Sequence, residues 1–242
     1  MIRTSSAAPH AEGLPVGAEK RRAVRAMFDR IAPRYDALNR LFTLGLDQRW
    51  RRLALDSIGV GAGDLVVDLA TGTGDLAELA CARGARVIGV DSARGMLRGA
   101  QRRGMRAALV QGEVERVPLP DAAASAVVCG FSLRNFVALD RVLAEMARLL
   151  SSGGRLALLD VDVPRSRIVR FGHSLYFERV VPKLGALLSD RAAYRYLPRS
   201  VSYLPPRDDL LAEVRKAGFE EVEHRTLLFG TAQLITARRT ST

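Results

Sequence analysis

The sequence predicts a doubly wound α/β fold, in which helices cover both faces of a mostly parallel sheet. Short apolar segments alternate with amphipathic segments at least five times along the chain, a pattern typical of repeated strand–helix–strand units. A glycine turn, Thr71–Gly74, lies directly between the first strand and its helix. With 242 residues, of which 48% are hydrophobic, the chain can bury a substantial core.

The segment before the first strand predicts two helices. Residues Met1–Ala18 lack an apolar centre, so we expect a disordered leader rather than a signal peptide. Glu19–Arg34 is amphipathic, and Leu46–Ile58 again has helical composition. We expect residues 19–62 to form an N-terminal helical lid over the carboxyl ends of the strands, where open α/β sheets bind ligands. Packing against the sheet edge explains most of their apolar positions equally well.

Residues 63–242 supply the predicted core, with a helical insertion at about residues 165–204. Only a few residues separate the last two strands, which indicates a hairpin and therefore one antiparallel strand. We expect strands at Leu65–Leu69, Ala85–Val90, Ala107–Val110, Ser125–Cys129, Arg155–Asp160, Phe219–His224 and Leu227–Ala237. We expect helices at Asp75–Ala82, Ser92–Arg103 (capped by Ser92), Leu139–Leu150, Arg167–Val181 and Asp208–Lys216.

Acidic residues around the glycine turn favour a ligand with cationic groups. The motif Gly72-x-Gly74-x-x-Ala77 also fits a dinucleotide fingerprint. However, Asp68 at the strand end and Asp75 at the helix start would repel a pyrophosphate and attract an ammonium or a sulfonium group. S-adenosylmethionine carries both cations. We therefore expect it to bind at Asp68, Gly72 and Gly74.

Three later segments place polar side chains at the same edge of the sheet. Asp91 ends the second strand, 23 positions after Asp68, where a carboxylate commonly holds ribose hydroxyls. Glu113, or a main-chain amide beside it, follows the third strand and can receive the adenine amino group. Arg134 and Asn135 follow the fourth strand and are candidates for functional residues.

The composition bears on the binding partners of the protein but does not indicate which reaction it catalyses. The net charge of +11 would attract nucleic acid or an anionic membrane face, although high arginine usage explains it equally well. No apolar run reaches the roughly 18 residues that span a bilayer. The two cysteines and three histidines make no zinc-ligand spacing, so we expect free thiols and no metal.

Several motifs resemble the ubiquinone/menaquinone biosynthesis C-methyltransferase family. The resemblance covers about residues 19–238. It implies the fold of class I S-adenosylmethionine-dependent methyltransferases, a Rossmann-like sheet of seven strands with one antiparallel strand. The motifs are Phe28-Asp-Arg-Ile-Ala-x-x-Tyr-Asp-x-x-Asn39, Leu133-Arg-Asn135, Ala144-Glu-x-x-Arg-x-Leu-x-x-Gly-Gly-Arg155 and Tyr194-x-Tyr-Leu197.

The resemblance also implies a reaction, the C-methylation of a prenylated hydroquinone ring, most simply demethylmenaquinol to menaquinol. S-adenosylhomocysteine would be the second product, and the cytoplasmic enzyme would touch the inner face of the cell membrane. Glu113 stands where the family has Asp or Asn, and Gly130 replaces a serine. By position, the resemblance implies cofactor contacts at Thr73, Asp91, Glu113, Val114 and Gly130, catalytic roles for Arg134 and Asn135, and substrate contacts at Tyr35 and Asn39.

The sequence leaves several alternatives open. A diverged relative would methylate another quinol, a phenol or a small molecule. The basic charge suggests an RNA methyltransferase, but we find no RNA-binding module and few aromatic residues among the basic ones. The glycine turn alone would also suit an NAD-dependent oxidoreductase. Arg134 has an alternative role, a salt bridge to Asp160 or Asp162. No general base stands out, and monomer and homodimer remain equally compatible with the sequence.

Overall fold

The structure, a computed structural model, describes residues 15–162, 164, 196 and 199–241. The predicted helix Arg167–Val181 lies outside these residues, as does most of the motif at Tyr194–Leu197. A seven-stranded sheet with the strand order β3-β2-β1-β4-β5-β7-β6 forms the centre of the molecule. The strands are β1 Leu65–Leu69, β2 Arg86–Asp91, β3 Ala108–Gln111, β4 Ala124–Gly130, β5 Leu150–Val161, β6 Phe219–Leu227 and β7 Ala232–Arg239.

Strands β1–β5 are parallel, and β7 runs antiparallel to both of its neighbours. The predicted hairpin and the single antiparallel strand are therefore confirmed. From β1 the chain proceeds outward to β2 and β3, and then returns to the other side of β1 as β4. Such a reversal of strand order opens a crevice at the carboxyl ends of the strands.

Seven helices surround this sheet in the described part of the chain. The first begins at Gly17, two residues before the expected boundary, and ends at Ile31 because a 3-10 turn containing Pro33 follows it. An unpredicted helix, α2, lies between Pro33 and Gly45. The helices are α1 Gly17–Ile31, α2 Tyr35–Thr43, α3 Leu46–Ser57, α4 Asp75–Ala82, α5 Arg94–Arg102, α6 Leu139–Leu149 and α7 Arg207–Lys216.

The core divides into one apolar cluster on each face of the sheet. Val66 belongs to the cluster packed under α3 and α4, whereas Val67 belongs to the cluster packed under α6 and α7. Neighbouring residues of a strand point to opposite faces, and a strand that is buried on both faces needs an unbroken apolar run. The buried sequence Val66-Val67 satisfies that requirement in the central strand.

Two local predictions were wrong. Ser92 does not cap α5, because that helix begins at Arg94 and its N-cap residue Ala93 supplies no side-chain hydrogen bond. Strand β5 begins at Leu150 and not at Arg155, because Leu150 already pairs with Ala124 of β4. The residues expected to form a turn are thus part of a long strand.

Candidate active site

A cavity lies at the carboxyl ends of β1–β4, beneath the N-terminal helices α1 and α2. Four loops surround it, and each loop follows one of these strands. Among the residues predicted from sequence, those that line the cavity are Tyr35, Gly72, Asp91, Glu113, Val114 and Asn135. Those that do not line it are Asn39, Asp68, Thr73, Gly74, Gly130 and Arg134.

The glycine turn after β1 has a backbone that only glycine adopts readily. Gly72 has a φ of +60° and Gly74 a φ of +87°, values in the left-handed region. A Cβ atom at Gly74 would lie 1.8 Å from the Cε atom of Met105. A Cβ atom at Gly72 would lie 3.9 Å from the ring of Tyr35, which is an ordinary van der Waals distance. The turn thus exposes its main chain to the cavity.

Asp91 ties the glycine turn to the loop after β2. Its Oδ2 atom accepts a hydrogen bond from the Gly72 amide, and its Oδ1 atom accepts one from the Ala93 amide, each at 2.8 Å. A carboxylate has about four acceptor positions, so each oxygen can still accept a ribose hydroxyl. Burial raises the pKa of Asp91 to about 6, with Asp29 and Glu113 adding to the increase. The group is therefore ionised at neutral pH.

Asp68 lies behind the turn and not in the cavity. It is only 1% exposed, and its carboxylate accepts a hydrogen bond of 2.6 Å from the Thr71 hydroxyl. Burial raises the pKa of Asp68 to about 7. Its contribution to the site is to hold Thr71 beneath the turn.

The Asp75 carboxylate is bound by side chains of the protein itself. It accepts hydrogen bonds from Arg103 at 2.7 Å and from Gln48 at 2.8 Å, and Arg51 lies 3.7 Å away. Burial raises the pKa of Asp75, but Arg51 and Arg103 outweigh this effect and hold it below its usual value. The charge of Asp75 is thus neutralised within the protein, and the inference that it attracts a cationic ligand was wrong.

The loop after β3 lines the cavity, whereas Gly130 at the end of β4 does not. Val114 is buried against the cavity, and Glu113 lines it with its carboxylate 3.9 Å from the guanidinium of Arg25 in α1. Gly130 does not line the cavity, since a Cβ there would point at Arg51 at 2.9 Å. The absence of a side chain at Gly130 therefore makes room for an arginine.

Arg134 and Asn135 follow β4, but their side chains have different surroundings. The buried guanidinium of Arg134 donates to the Phe131 carbonyl at 2.8 Å and to the Ser200 hydroxyl at 3.1 Å, and it forms an ion pair with Asp160. The salt bridge that the sequence left as an alternative is thus the arrangement found. Asn135 does line the cavity.

Tyr196 is a site residue that the sequence reasoning missed. Its hydroxyl donates a hydrogen bond of 3.0 Å to the Oδ1 atom of Asn135. Burial raises the pKa of Tyr196 well above its usual value, so the hydroxyl remains a donor. Tyr196 is part of the motif Tyr194-x-Tyr-Leu197, but the motif did not indicate that this tyrosine contacts the loop after β4.

The N-terminal helices contact each of the four loops through a polar side chain. Lys20 makes two such contacts, since its Nζ atom donates to the carbonyls of Arg134 and Phe136 at 2.9 and 2.8 Å. Burial lowers the pKa of Lys20 to about 8. The contacts are Asp36 to Thr73 after β1, Asp29 to Gly95 after β2, Arg21 to Glu115 after β3, and Lys20 after β4.

Tyr35 and Asn39 lie one turn apart on the same face of α2. Burial raises the pKa of Tyr35, which keeps its hydroxyl protonated at neutral pH. The Nδ2 atom of Asn39 is buried and has no hydrogen-bond partner among the residues that the structure describes. Asn39 lies outside the cavity lining, and its side chain acts on the Tyr35 hydroxyl, whose pKa it lowers against the effect of burial.

The strand order, the glycine turn and the buried acid at the end of β2 together define a class I S-adenosylmethionine-dependent methyltransferase. The residues fit the cofactor, since Gly72 exposes main chain and Asp91 keeps acceptor positions. Comparison with known proteins then gives the particular family. The chain belongs to the ubiE/COQ5 methyltransferase family, whose model matches residues 16–239.

Relatives with similar sequences span nearly the whole chain. A demethylmenaquinone methyltransferase from Thermus thermophilus is 43% identical over 215 residues, which cover 86% of this chain and 97% of the relative. A ubiquinone/menaquinone biosynthesis C-methyltransferase from Geobacter sulfurreducens is 40% identical over 232 residues, which cover 91% and 90%. The family predicted from the motifs is therefore confirmed.

Solved structures confirm the fold. The [4+2]-cyclase SpnF matches with a TM-score of 0.69 at 17% identity, covering 96% of this chain and all of the other. A phosphoethanolamine N-methyltransferase from Haemonchus contortus, solved with S-adenosyl-L-methionine, matches with a TM-score of 0.61 at 13% identity. That match covers 80% of this chain and 53% of the other. At these identities the likeness concerns architecture alone.

Proposed function

We propose that this methyltransferase of quinone biosynthesis methylates a ring carbon of a prenylated hydroquinone, and that demethylmenaquinol is its substrate. The observation that carries the proposal is the cavity wall beside the glycine turn, where Tyr35 and Asn135 lie together. The relatives named as demethylmenaquinone methyltransferases, from Thermus thermophilus and Deinococcus radiodurans at 43% and 42% identity, support the choice of a naphthoquinol.

The chemistry requires a nucleophilic ring carbon and an electrophilic methyl group held in line. S-adenosylmethionine supplies the methyl group on a sulfonium, which becomes a neutral thioether when the methyl leaves. The ring carbon becomes electron-rich when the neighbouring hydroxyl ionises, and its own proton must leave after the new carbon–carbon bond forms. The protein has to stabilise the phenolate and provide a path for the proton.

Tyr35, Asn39 and Asn135 are the residues that we assign to the substrate. Tyr35 remains protonated because burial raises its pKa, so it can donate to the quinol oxygen as charge develops there. Asn39 would act on the substrate through Tyr35, since its side chain interacts with the Tyr35 hydroxyl and lies outside the cavity lining. Asn135, oriented by the Tyr196 hydroxyl, can hold the ring or a water molecule that accepts the ring proton.

Arg134 acts as a positioning residue in this proposal. Its guanidinium is bound to Phe131, Ser200 and Asp160, which leaves the neighbouring Asn135 to face the cavity. The arginine therefore joins the loop after β4 to the end of β5. Asp160 balances its positive charge within the protein, so we assign no direct contact with the quinol to the guanidinium.

The N-terminal residues 19–62 form a lid in this proposal. Their polar contacts reach all four loops, and closure over the cavity would exclude water from the methyl transfer. Thr73 supports this arrangement from the glycine turn, since its hydroxyl is bonded to Asp36 of α2 and not turned into the cavity. We assign Thr73 to lid attachment rather than to direct cofactor contact.

A membrane surface would supply the prenylated substrate. In the described part of the chain, no helix has the length and apolar character needed to cross a bilayer. The corner between α2 and α3 presents Leu44, which is 79% exposed, and the exposed arginines Arg49 and Arg52 follow it. We propose that this corner docks on anionic lipid beside the cavity, with the arginines at the headgroups.

A product assay tests the proposed substrate. The purified protein is incubated with S-adenosylmethionine and either demethylmenaquinol or a demethylated benzoquinol of equal prenyl length, and the products are identified by mass spectrometry. We expect methyl transfer to the naphthoquinol ring carbon. Transfer only to the benzoquinol, or to a hydroxyl oxygen, would contradict the proposal.

A further inference from the structure

We propose that Asp29 is a positioning residue for cofactor binding, which caps helix α5 from the neighbouring helix α1 and thereby fixes the loop that carries Asp91. The inference concerns only the cofactor half of the site. It is therefore independent of the substrate proposed above.

Helix α5 has no side-chain cap of its own. It begins at Arg94, and its N-cap residue Ala93 has only a methyl side chain. The first amides of a helix lack partners within the helix and usually bond to a serine, threonine, aspartate or asparagine at the N-cap. Here the Oδ1 atom of Asp29 accepts a hydrogen bond of 2.6 Å from the Gly95 amide. The cap thus comes from a residue 66 positions earlier in the chain.

Close packing accompanies this hydrogen bond. A Cβ atom at Gly95 would lie 2.8 Å from the Asp29 carbonyl oxygen and 3.1 Å from the Asp29 Cα atom. The two backbones can approach so closely only because residue 95 is glycine. Beside this contact, Met27 and Ile31 of α1 pack against Met96 of α5 in a small apolar cluster.

The capped turn is the one that orients the ribose acid. Asp91 accepts a hydrogen bond from the Ala93 amide, two residues before the amide that Asp29 binds. Asp29 and Asp91 therefore hold the same short segment from opposite sides. The second oxygen of Asp91 binds the Gly72 amide, so the constraint extends to the glycine turn.

The charge of Asp29 also acts on Asp91. Five titratable groups interact with the Asp91 carboxylate: Asp29 from α1, Glu113 from the loop after β3, Asp68 from β1, Tyr35 from α2 and Cys129 from β4. Asp29 and Glu113 help to raise the pKa of Asp91. Removing the charge at position 29 should lower that pKa, so cofactor binding should persist to more acidic pH.

These two effects of Asp29 can be separated by two substitutions. Asp29→Asn keeps an oxygen that can accept from the Gly95 amide but removes the charge, whereas Asp29→Ala removes both. We measure binding of S-adenosylhomocysteine by calorimetry between pH 5 and pH 8. Asp29→Ala should bind about tenfold more weakly at pH 8, as expected for the loss of one helix cap. Asp29→Asn should stay within about twofold of wild type at pH 8.

The acid side of the pH profile gives the second readout. In both variants the midpoint of the affinity loss should move below the wild-type value near pH 6, a shift that a purely structural role would not cause. Full affinity of Asp29→Ala at pH 8 would overturn the proposal. An equal loss in Asp29→Asn would overturn the capping role, and an unmoved midpoint would overturn the charge effect.

Gly95→Ala tests the same contact from the α5 side. Alanine favours helix over glycine, so an effect confined to α5 would leave affinity unchanged or improve stability. We expect instead a loss of affinity, because the new Cβ would press on the Asp29 carbonyl oxygen and Cα atom and push α1 away from α5. Gly61→Ala is the matched control, since a Cβ there meets nothing within 4 Å. Wild-type affinity of Gly95→Ala would contradict the close contact between the two helices.

Discussion

Arg134 and Asp160 form a buried ion pair between the loop after β4 and the end of β5. The Asp160 side chain has no exposed surface, and that of Arg134 is 8% exposed. Removal of one partner leaves an uncompensated buried charge. The pair therefore couples the loop after β4 to the stability of the sheet.

Arg134→Ala should lower the free energy of unfolding by about 3–5 kcal/mol, because Asp160 would remain buried without its partner. Denaturant unfolding measures the change. Lys216→Ala is the control, since it breaks an exposed pair with Glu213 and should cost less than about 1 kcal/mol. A fully stable Arg134→Ala protein would show that Asp160 has another source of stabilisation.

Asp91→Ala should weaken S-adenosylmethionine binding by about 1.5–3 kcal/mol, the range for hydrogen bonds to a charged group. Wild-type affinity should also fall as the pH drops below about 6, the pKa of Asp91, because a protonated carboxyl group loses acceptor capacity. Calorimetric titration at several pH values measures both effects. Unchanged affinity in a folded Asp91→Ala protein would remove the residue from the cofactor site.

Asp68→Asn should stabilise the protein at neutral pH relative to wild type. Burial raises the pKa of Asp68 in the folded protein to about 7, from an ordinary value of 3.8. Ionisation is therefore harder in the folded protein, and the contribution of Asp68 to stability declines as the pH rises from about 4 to about 7. The stability difference between variant and wild type should grow over this range, by on the order of a few kcal/mol. A difference independent of pH would contradict the raised pKa.

Tyr35→Phe should reduce turnover by about 10²-fold, the loss typical of removing one transition-state donor. The affinity for S-adenosylmethionine should hardly change, because the hydroxyl is assigned to the quinol. Single-turnover measurements separate these quantities. Tyr203→Phe removes a hydroxyl that binds the Pro15 carbonyl outside the cavity, and it should leave turnover near that of wild type. A loss in Tyr35→Phe limited to cofactor affinity would place the ring against the cofactor alone.

Docking through the α2–α3 corner should depend on both charge and Leu44. Binding to anionic liposomes should weaken as salt rises, because exposed charges are screened over about 8–10 Å at physiological salt. Leu44→Ser should weaken the binding that remains at high salt. Sedimentation with anionic and neutral vesicles measures both components. Equal binding to neutral vesicles at every salt concentration would argue against electrostatic docking.

Local sequence patterns predicted the sheet well and the side-chain contacts of the site less well. The predicted span of β1, Leu65–Leu69, is the one observed, because a strand buried on both faces requires a continuous apolar run. Asp91 was likewise expected where it is found, at the end of β2. Both features depend on residues that are close in sequence.

The contacts of the site that the sequence did not resolve involve residues distant in sequence. Asp75 was expected to offer its charge to a ligand, but Gln48 and Arg51 of α3 and the later Arg103 surround it. The partner of Arg134 lies 26 positions away, so the sequence offered the salt bridge to Asp160 only as one of two roles for the guanidinium. Only the packing of the N-terminal helices and β5 around these residues resolves such partners.

The attachment of the N-terminal helices has a consequence for biosynthesis. Lys20 is separated from its carbonyl partners by 114 and 116 residues, and Asp29 precedes Gly95 by 66. At the usual rates of translation, Lys20 waits on the order of ten seconds for its partners to be synthesised. Until Gly95 and Met96 have been made, the apolar face of α1 that carries Met27 and Ile31 lacks the surface of α5 that covers it. Helix α1 thus waits for two later segments of the chain, and its attachment is complete only after the loop following β4 has been synthesised.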